Sequence, residues 1–204
     1  MPLSEWCVWV TGLPGSGKST IAQALLNKLK KIGVHAQIVS SDMLRRMITS
    51  TSTYTEEERD MIYGAITFAA WLLTRNGVNV IIDATANLRK YRDHARKKIP
   101  RFIEVYVRCP LKICINRESD RGKDAFYAPR DIYKKAFTGK SSTVPGIGVP
   151  YEEPLHPEVV VDSNKLNSEQ CAQKVLEVLI KVFQIVPTKI NISNFSNNKV
   201  VKGV

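Results

Sequence analysis

The sequence predicts an α/β fold: a three-layer α/β/α sandwich around a mostly parallel five-stranded sheet. Short apolar, β-branched runs alternate with longer stretches whose apolar residues recur at helical spacing, the pattern of strands connected by crossover helices. A glycine-rich turn joins the first such run to the first such stretch. The 204 residues, 44% hydrophobic and 24% charged, suffice to bury one compact core.

Taken in order, residues 6–11 (WCVWVT) read as a buried strand and 21–32 as the helix behind it. Residues 36–40 form a second short strand. Residues 55–76 make a long helix, opened by a capping box of Thr55 with Glu58 and closed at Gly77. The β-branched run 79–83 is a third strand, 88–98 a basic helix stopped by Pro100, and 102–107 a fourth strand. A helix at 110–118 begins on Pro110, whose missing N–H costs nothing at a helix start. Residues 159–161 give a short fifth strand and 168–183 an amphipathic closing helix. Two segments break the rhythm. Residues 121–157 are rich in proline and glycine, with little periodicity, as in a functional loop. Residues 187–204 hold four Asn and no acid, as in a poorly ordered extension. The expected organisation is one domain over 1–186, with a lid at about 120–148, followed by that extension.

No apolar run approaches the roughly 20 residues that span a bilayer. The opening MPLSEWCVWVTG has no basic stretch before its apolar run, so the chain reads as cytoplasmic, without a membrane partner. Cys7, Cys109, Cys114 and Cys171 are scattered, with no CxxC, and His35, His94 and His156 lack zinc-site spacing. Free buried thiols are expected. The net charge of +11 favours anionic partners, nucleotides or nucleic acid, and three lysines of the 187–204 extension supply part of it.

The strongest motif is Gly12-Leu13-Pro14-Gly15-Ser16-Gly17-Lys18-Ser19, followed by Thr20. It is a complete G-x-x-x-x-G-K-[ST] between strand and helix. Its glycines let backbone N–H groups close around phosphate oxygens, and the positive end of the following helix adds to the attraction. Lys18 is placed to bridge the terminal phosphates and the Ser19 hydroxyl to ligate Mg²⁺. No guanine-reading NKxD sequence occurs, which favours ATP.

The second strand runs into Ser40-Ser41-Asp42-Met43-Leu44-Arg45-Arg46. A carboxylate at Asp42 can take the proton of an acceptor hydroxyl, and it can also cap a helix. Arg45 and Arg46 can hold an anionic acceptor. Asp83, ending the third strand, stands where such an enzyme holds the waters of its magnesium, or is a turn residue. Arg89, Arg92 and Arg96 share one helical face, an array suited to phosphate or sulfate, or simply a solvated basic surface. Arg117, Arg121 and Arg130 lie in or beside the irregular segment, where arginines can close over ATP and exclude water. Together these features favour a small kinase over a switch or motor.

The chain resembles the adenylyl-sulfate kinases from Trp6 to about Leu179. Besides the phosphate loop, Asp42-Met43-Leu44-Arg45 resembles the end of that family's LDGD-x-x-R, and Thr55-Glu56-Glu57-Glu58-Arg59 its S-E-E-D-R. Arg89-Lys90-Tyr91-Arg92-Asp93 with Arg96 resembles R-x-x-R-D-x-x-R. Phe137-Thr138-Gly139, Pro150-Tyr151-Glu152-Glu153-Pro154 and Pro157-Glu158 are its most specific pieces. The resemblance implies phosphorylation of the 3′-hydroxyl of adenosine 5′-phosphosulfate by ATP and Mg²⁺. It places Asp42 at that hydroxyl, Arg45 and Arg59 on the nucleotide-sulfate, Phe137 against its adenine and Arg117 beside the adenine of ATP; Asn87, Arg89 and Arg92 are further candidates for binding the substrate. It also implies a dimer, as relatives often are, and a role in sulfate assimilation.

The chain departs from the pattern on the acceptor side. Ser40 and Ser41 replace Asp and Gly, Ile62 replaces an asparagine, Thr85-Ala86-Asn87 replaces I-S-P, Asp124-Ala125-Phe126-Tyr127 replaces K-G-L-Y, Asp83 replaces a small residue, and residues 141–149 are added. A kinase of the same fold with another hydroxyl acceptor is the alternative. A nucleic-acid-binding or end-modifying protein ranks lower, because no base-stacking motif accompanies the charge.

Overall fold

The computed structural model describes residues 5–120 and 128–186. Part of the expected lid, with Arg121 and residues 124–127, and the 187–204 extension therefore lie outside the described residues. The chain runs β1 (Cys7–Thr11), α1 (Lys18–Lys31), β2 (Ala36–Ser40), α2 (Ser41–Ile48), α3 (Glu56–Arg75), β3 (Asn79–Asp83), α4 (Arg89–Lys98), β4 (Phe102–Arg108), α5 (Leu111–Ser119), α6 (Ile132–Phe137), β5 (Val159–Asp162) and α7 (Ser168–Phe183). The short helices α2 and α6 were not expected; each lacks the length to show a periodic apolar stripe.

The sheet has the order β2-β3-β1-β4-β5, and all of its pairings are parallel. Alternation along β1 divides the core. Val8 and Val10 face α1 and α7 with Ile103, Val105 and Leu25, while Cys7 and Trp9 face α3 and α4 with Ile62, Ile66 and Ile82. Both faces of each inner strand are covered, which is why β1 and β3 are buried throughout and apolar except at Thr11, Asn79 and Asp83 at their ends. A third small cluster, Cys109, Cys114, Tyr133 and Val144, packs α5 and α6 beside the phosphate loop. All four cysteines are free and buried.

The α3 N-terminus departs from its expected capping box. Thr55 accepts from the Glu58 amide at 3.3 Å, but the Glu58 carboxylate does not return to Thr55. It turns instead to the Thr53 and Tyr54 amides and to Arg45. Among the described residues, no helix is long and apolar enough to cross a membrane.

Candidate active site

Ligands of open parallel sheets bind beyond the carboxyl ends of the strands, where the connections diverge. Here β1 leads through α1 to β2 on one side, and β4 leads through α5 to β5 on the other. Register aligns Asp83 with Val10 and with Ser40, so the ends of β1, β3 and β2 converge. A cavity of about 860 Å³ opens there, lined by Gly15, Lys18 and Ser19 on one side and by Asp42, Arg45, Arg59 and Asp83 on the other.

The phosphate loop fits phosphate by exclusion of side chains. A Cβ on Gly15, at φ +77°, would lie 2.4 Å from the Cys114 carbonyl oxygen, and one on Gly12 would lie 2.6 Å from that of Val107. The loop is thus pinned against β4 and α5, with Gly15, Gly17 and Lys18 lining the cavity. Tyr133 Oη donates to Pro14 O at 2.8 Å, and Ser163 Oγ to Ser16 O at 2.8 Å, fastening it from behind. The buried Ser16 Oγ has no hydrogen-bond partner, an orphan next to the cradle. Lys18 Nζ donates to Leu13 O at 3.0 Å. Ser19 and Thr20, at the start of α1, are exposed to the cavity. Arg117 lines it too, its guanidinium bonded to Ser163 Oγ at 3.1 Å and Ser163 O at 2.7 Å.

The donor set suits Mg²⁺. Ser19 and Asp83 supply oxygens to the same cavity. No group of three or more His, Cys, Asp or Glu forms a metal cage among the described residues. Magnesium bound with nucleotide needs only one or two protein oxygens, with phosphates and waters completing its shell.

On the acceptor side, α2 carries Asp42 and Arg45 into the cavity from its first turns. The helix is capped by Ser40, whose Oγ accepts from the Met43 amide, so Asp42 is not the cap. Arg45 is 3% exposed, 3.1 Å from Glu58, over the Tyr54 ring at 4.4 Å, and its Nε has no partner. Burial works to raise the Glu58 carboxyl. Hydrogen bonds from Thr53 and Tyr54 and the Arg45 charge outweigh it and hold the group below the usual carboxylate range. Tyr63 also lines the cavity, and burial above all raises its phenol.

Several expected ligands lie elsewhere. Arg89, Arg92 and Arg96 do not form an open cationic face. Arg92, 1% exposed, bonds Glu104 at 2.5 Å, Glu152 O at 2.6 Å and Ala86 O. Arg96 pairs with Glu158 at 2.5 Å, and Arg89 bonds Glu153 O at 3.0 Å. The guanidinium groups that were read as substrate forks are tied to the 152–158 segment and to β4; the Arg92–Glu104 pair is buried, and Arg89 and Arg96 stay partly exposed in theirs. Asn87 and Arg92 are buried, Arg89 is partly exposed, and all three are absent from the cavity wall. Phe137 is 64% exposed at the end of α6 and is also outside it. Arg46 is exposed away from the cavity, and Arg130 is exposed before α6. Sequence reasoning missed Lys135 and Lys140, cations on the lid side of the wall, and Tyr54 and Tyr63 on its acceptor side. The only signal for Lys135 was its place two residues before Phe137.

The model of the adenylylsulphate kinase family matches residues 4–162. The chain belongs to the adenylylsulphate kinase family. A probable adenylyl-sulfate kinase of Archaeoglobus fulgidus is 37% identical over 161 residues, 79% of this chain and 97% of that protein. The adenylyl-sulfate kinase of Rippkaea orientalis is 36% identical over 172 residues, 84% of this chain and 90% of that one. The Mycobacterium tuberculosis APS kinase, solved in complex with AMPPNP and APS, aligns with a TM-score of 0.77 at 29% identity, covering 87% of this chain and 99% of that one. Membership gives this adenylylsulphate kinase relative a phosphotransferase chemistry on a hydroxyl group.

Proposed function

We propose that the chain transfers the γ-phosphoryl group of ATP to the 3′-hydroxyl of adenosine 5′-phosphosulfate. The observation that carries this reading is a single cavity shared by the phosphate loop and by Asp42 and Arg45 of α2, in a chain of this family. Magnesium, held by Ser19 with Asp83 behind it, would neutralise charge on the nucleotide phosphates.

The chain's own groups do the rest. The loop amides and Lys18 hold the β and γ phosphates and offset the charge that develops during transfer. Arg117, braced by Ser163, flanks the adenine of ATP. Arg45, in the cavity wall, binds the phosphosulfate. Asp42 accepts the proton of the 3′-hydroxyl as its oxygen bonds to the γ-phosphorus and ADP leaves. Transfer of this kind asks for positioning and charge more than for covalent help. Nucleic acid has no part in this reading.

The test is ATP consumption by purified protein with Mg²⁺ and adenosine 5′-phosphosulfate, against a control without acceptor. Saturable turnover yielding the 3′-phosphorylated nucleotide is expected. Nucleotide binding without that turnover refutes the acceptor, and near-normal turnover by Asp42→Asn refutes the base.

A further inference from the structure

Thr11 is the last residue of β1, next to Gly12 of the phosphate loop, and it is fully buried. The β1–β3 register runs to Val10 with Asp83, and Thr11 itself is in register with Tyr106 of β4 on the other side. Beyond the Ala84 amide, which donates to Val10 O at 3.3 Å, the Thr11 side chain takes over. Its Oγ1 donates to Thr85 O at 2.6 Å and lies 3.1 Å from Tyr151 Oη. A threonine hydroxyl carries one proton, and the Thr85 carbonyl, which can only accept, takes it. Tyr151 Oη is therefore the donor in the second contact. Burial above all raises its phenol, so it keeps the proton it gives. One hydroxyl thus joins the strand that enters the phosphate loop, the turn after β3 and the 150–154 segment.

That turn, residues 84–87, is held from several elements at once. Ala84 O accepts from Trp9 Nε1 at 3.1 Å, the Ala86 amide donates to Tyr63 Oη at 3.1 Å, Ala86 O accepts from Arg92 Nη1, and Asn87 O accepts from the Glu152 amide at 2.7 Å. Ala86 is buried at φ +41°, a left-handed backbone that a non-glycine residue keeps only where its surroundings over-determine it. Asp83 and Thr85 line the cavity, whereas Thr11 and Tyr151 do not. In-line phosphoryl transfer needs the acceptor oxygen and the phosphorus in near-contact, and a misplacement of about 1 Å can cost roughly 10²-fold in rate. The phosphate loop places the phosphorus, and the turn after β3 is part of the facing wall. The bond between them sets the gap.

We infer that Thr11, oriented by Tyr151, is a positioning residue: its hydroxyl fixes the turn after β3 against the entry to the phosphate loop, and thereby the distance between the acceptor and phosphate halves of the cavity. The inference rests on the proposed activity for its acceptor, but not for the joint itself.

The test uses the full chain with Thr11→Val, Thr11→Ser and Tyr151→Phe. The rate of a single turnover at saturating substrates is measured, with KM for ATP and for adenosine 5′-phosphosulfate, and amide hydrogen exchange is read without ligand. Thr11→Val should slow the single turnover by roughly 10² and leave both KM values within about twofold, because the binding groups remain and only their spacing changes. Thr11→Ser, which keeps the hydroxyl, should come within about threefold of wild type, and Tyr151→Phe should fall between the two. In Thr11→Val the 84–87 amides should exchange about tenfold faster, with those of α7 unchanged, since local opening is independent of the core. A Thr11→Val rate within about threefold of wild type overturns the inference, as does Thr11→Ser no faster than Thr11→Val. A loss confined to the ATP KM makes Thr11 a support of the phosphate loop alone, and equal acceleration of exchange in α7 makes it a general support of the fold; either overturns the inference. Should Thr11→Val not fold, Tyr151→Phe decides by the same measurements, and a rate and exchange like those of wild type overturn the inference. If the wild-type chain does not turn over adenosine 5′-phosphosulfate, the proposed activity fails while the exchange measurement still decides the joint.

Discussion

Arg92→Leu separates a structural arginine from a substrate-binding one. The Arg92 side chain is 1% exposed and that of Glu104 7%, at 2.5 Å from each other. Removing one partner of a buried pair costs about 3–5 kcal/mol, because the other charge is stranded. Arg96, 3.5 Å from Glu104, gives partial relief, so the lower end, about 3 kcal/mol, applies. The carbonyls of Ala86 and Glu152 also lose their donor, at about 1 kcal/mol each. The expected loss is then about 5 kcal/mol, comparable with the whole stability of many domains. In urea unfolding with a slope of about 2 kcal/mol per M, the midpoint should fall by roughly 2.5 M. The double variant Arg92→Leu/Glu104→Leu removes the stranded carboxylate and should be more stable than the single one. A loss under about 1.5 kcal/mol, or a double variant no more stable than Arg92→Leu, would refute the reasoning. A stable Arg92→Leu with a raised acceptor KM would return Arg92 to the substrate.

Three further outcomes are expected. Gly15→Ala should weaken binding of an ATP analogue by at least about tenfold in a fluorescence titration, since its Cβ would meet the Cys114 carbonyl at 2.4 Å at a φ of +77°. Lys18→Met should lower kcat by roughly 10²–10³, the usual cost of removing one charge-stabilising donor, in steady-state assays with saturating ATP. Glu58 is held below its unfolded pKa, so its stabilisation is present above about pH 4.5 and fades as pH falls through the lower folded value. The stability difference between wild type and Glu58→Gln, measured by urea unfolding, should therefore shrink as pH drops from 5 toward 3.

Much of the fold was legible because burial leaves a periodic trace. The strands β2 and β3 and the closing helix α7 fall where β-branched runs and helical spacing put them. Half of the site was legible for a different reason: a phosphate loop is a local structure, and the residues that shape it are consecutive. The acceptor side is assembled from α2, α3, the turn after β3 and the 141–149 turn, and nothing in their separate sequences says which side chain meets which. Even so, one clue was present. Glu104 interrupts the apolar strand β4, and a charge buried there needs a partner, which the arginines of α4 supply.

The sequence by itself determined the α/β sandwich, the nucleotide cradle and the positions of Asp42 and Asp83 at strand ends, since each follows from periodicity or from contiguous residues. Only the tertiary structure decided how the arginines are used. Arg45 pairs with Glu58 in the cavity wall, Arg59 is spent on three segments of that wall, and Arg92 and Arg96 are spent on glutamates. A guanidinium binds substrate or scaffold according to which acceptors lie within reach, and reach is set by packing between elements far apart in the chain.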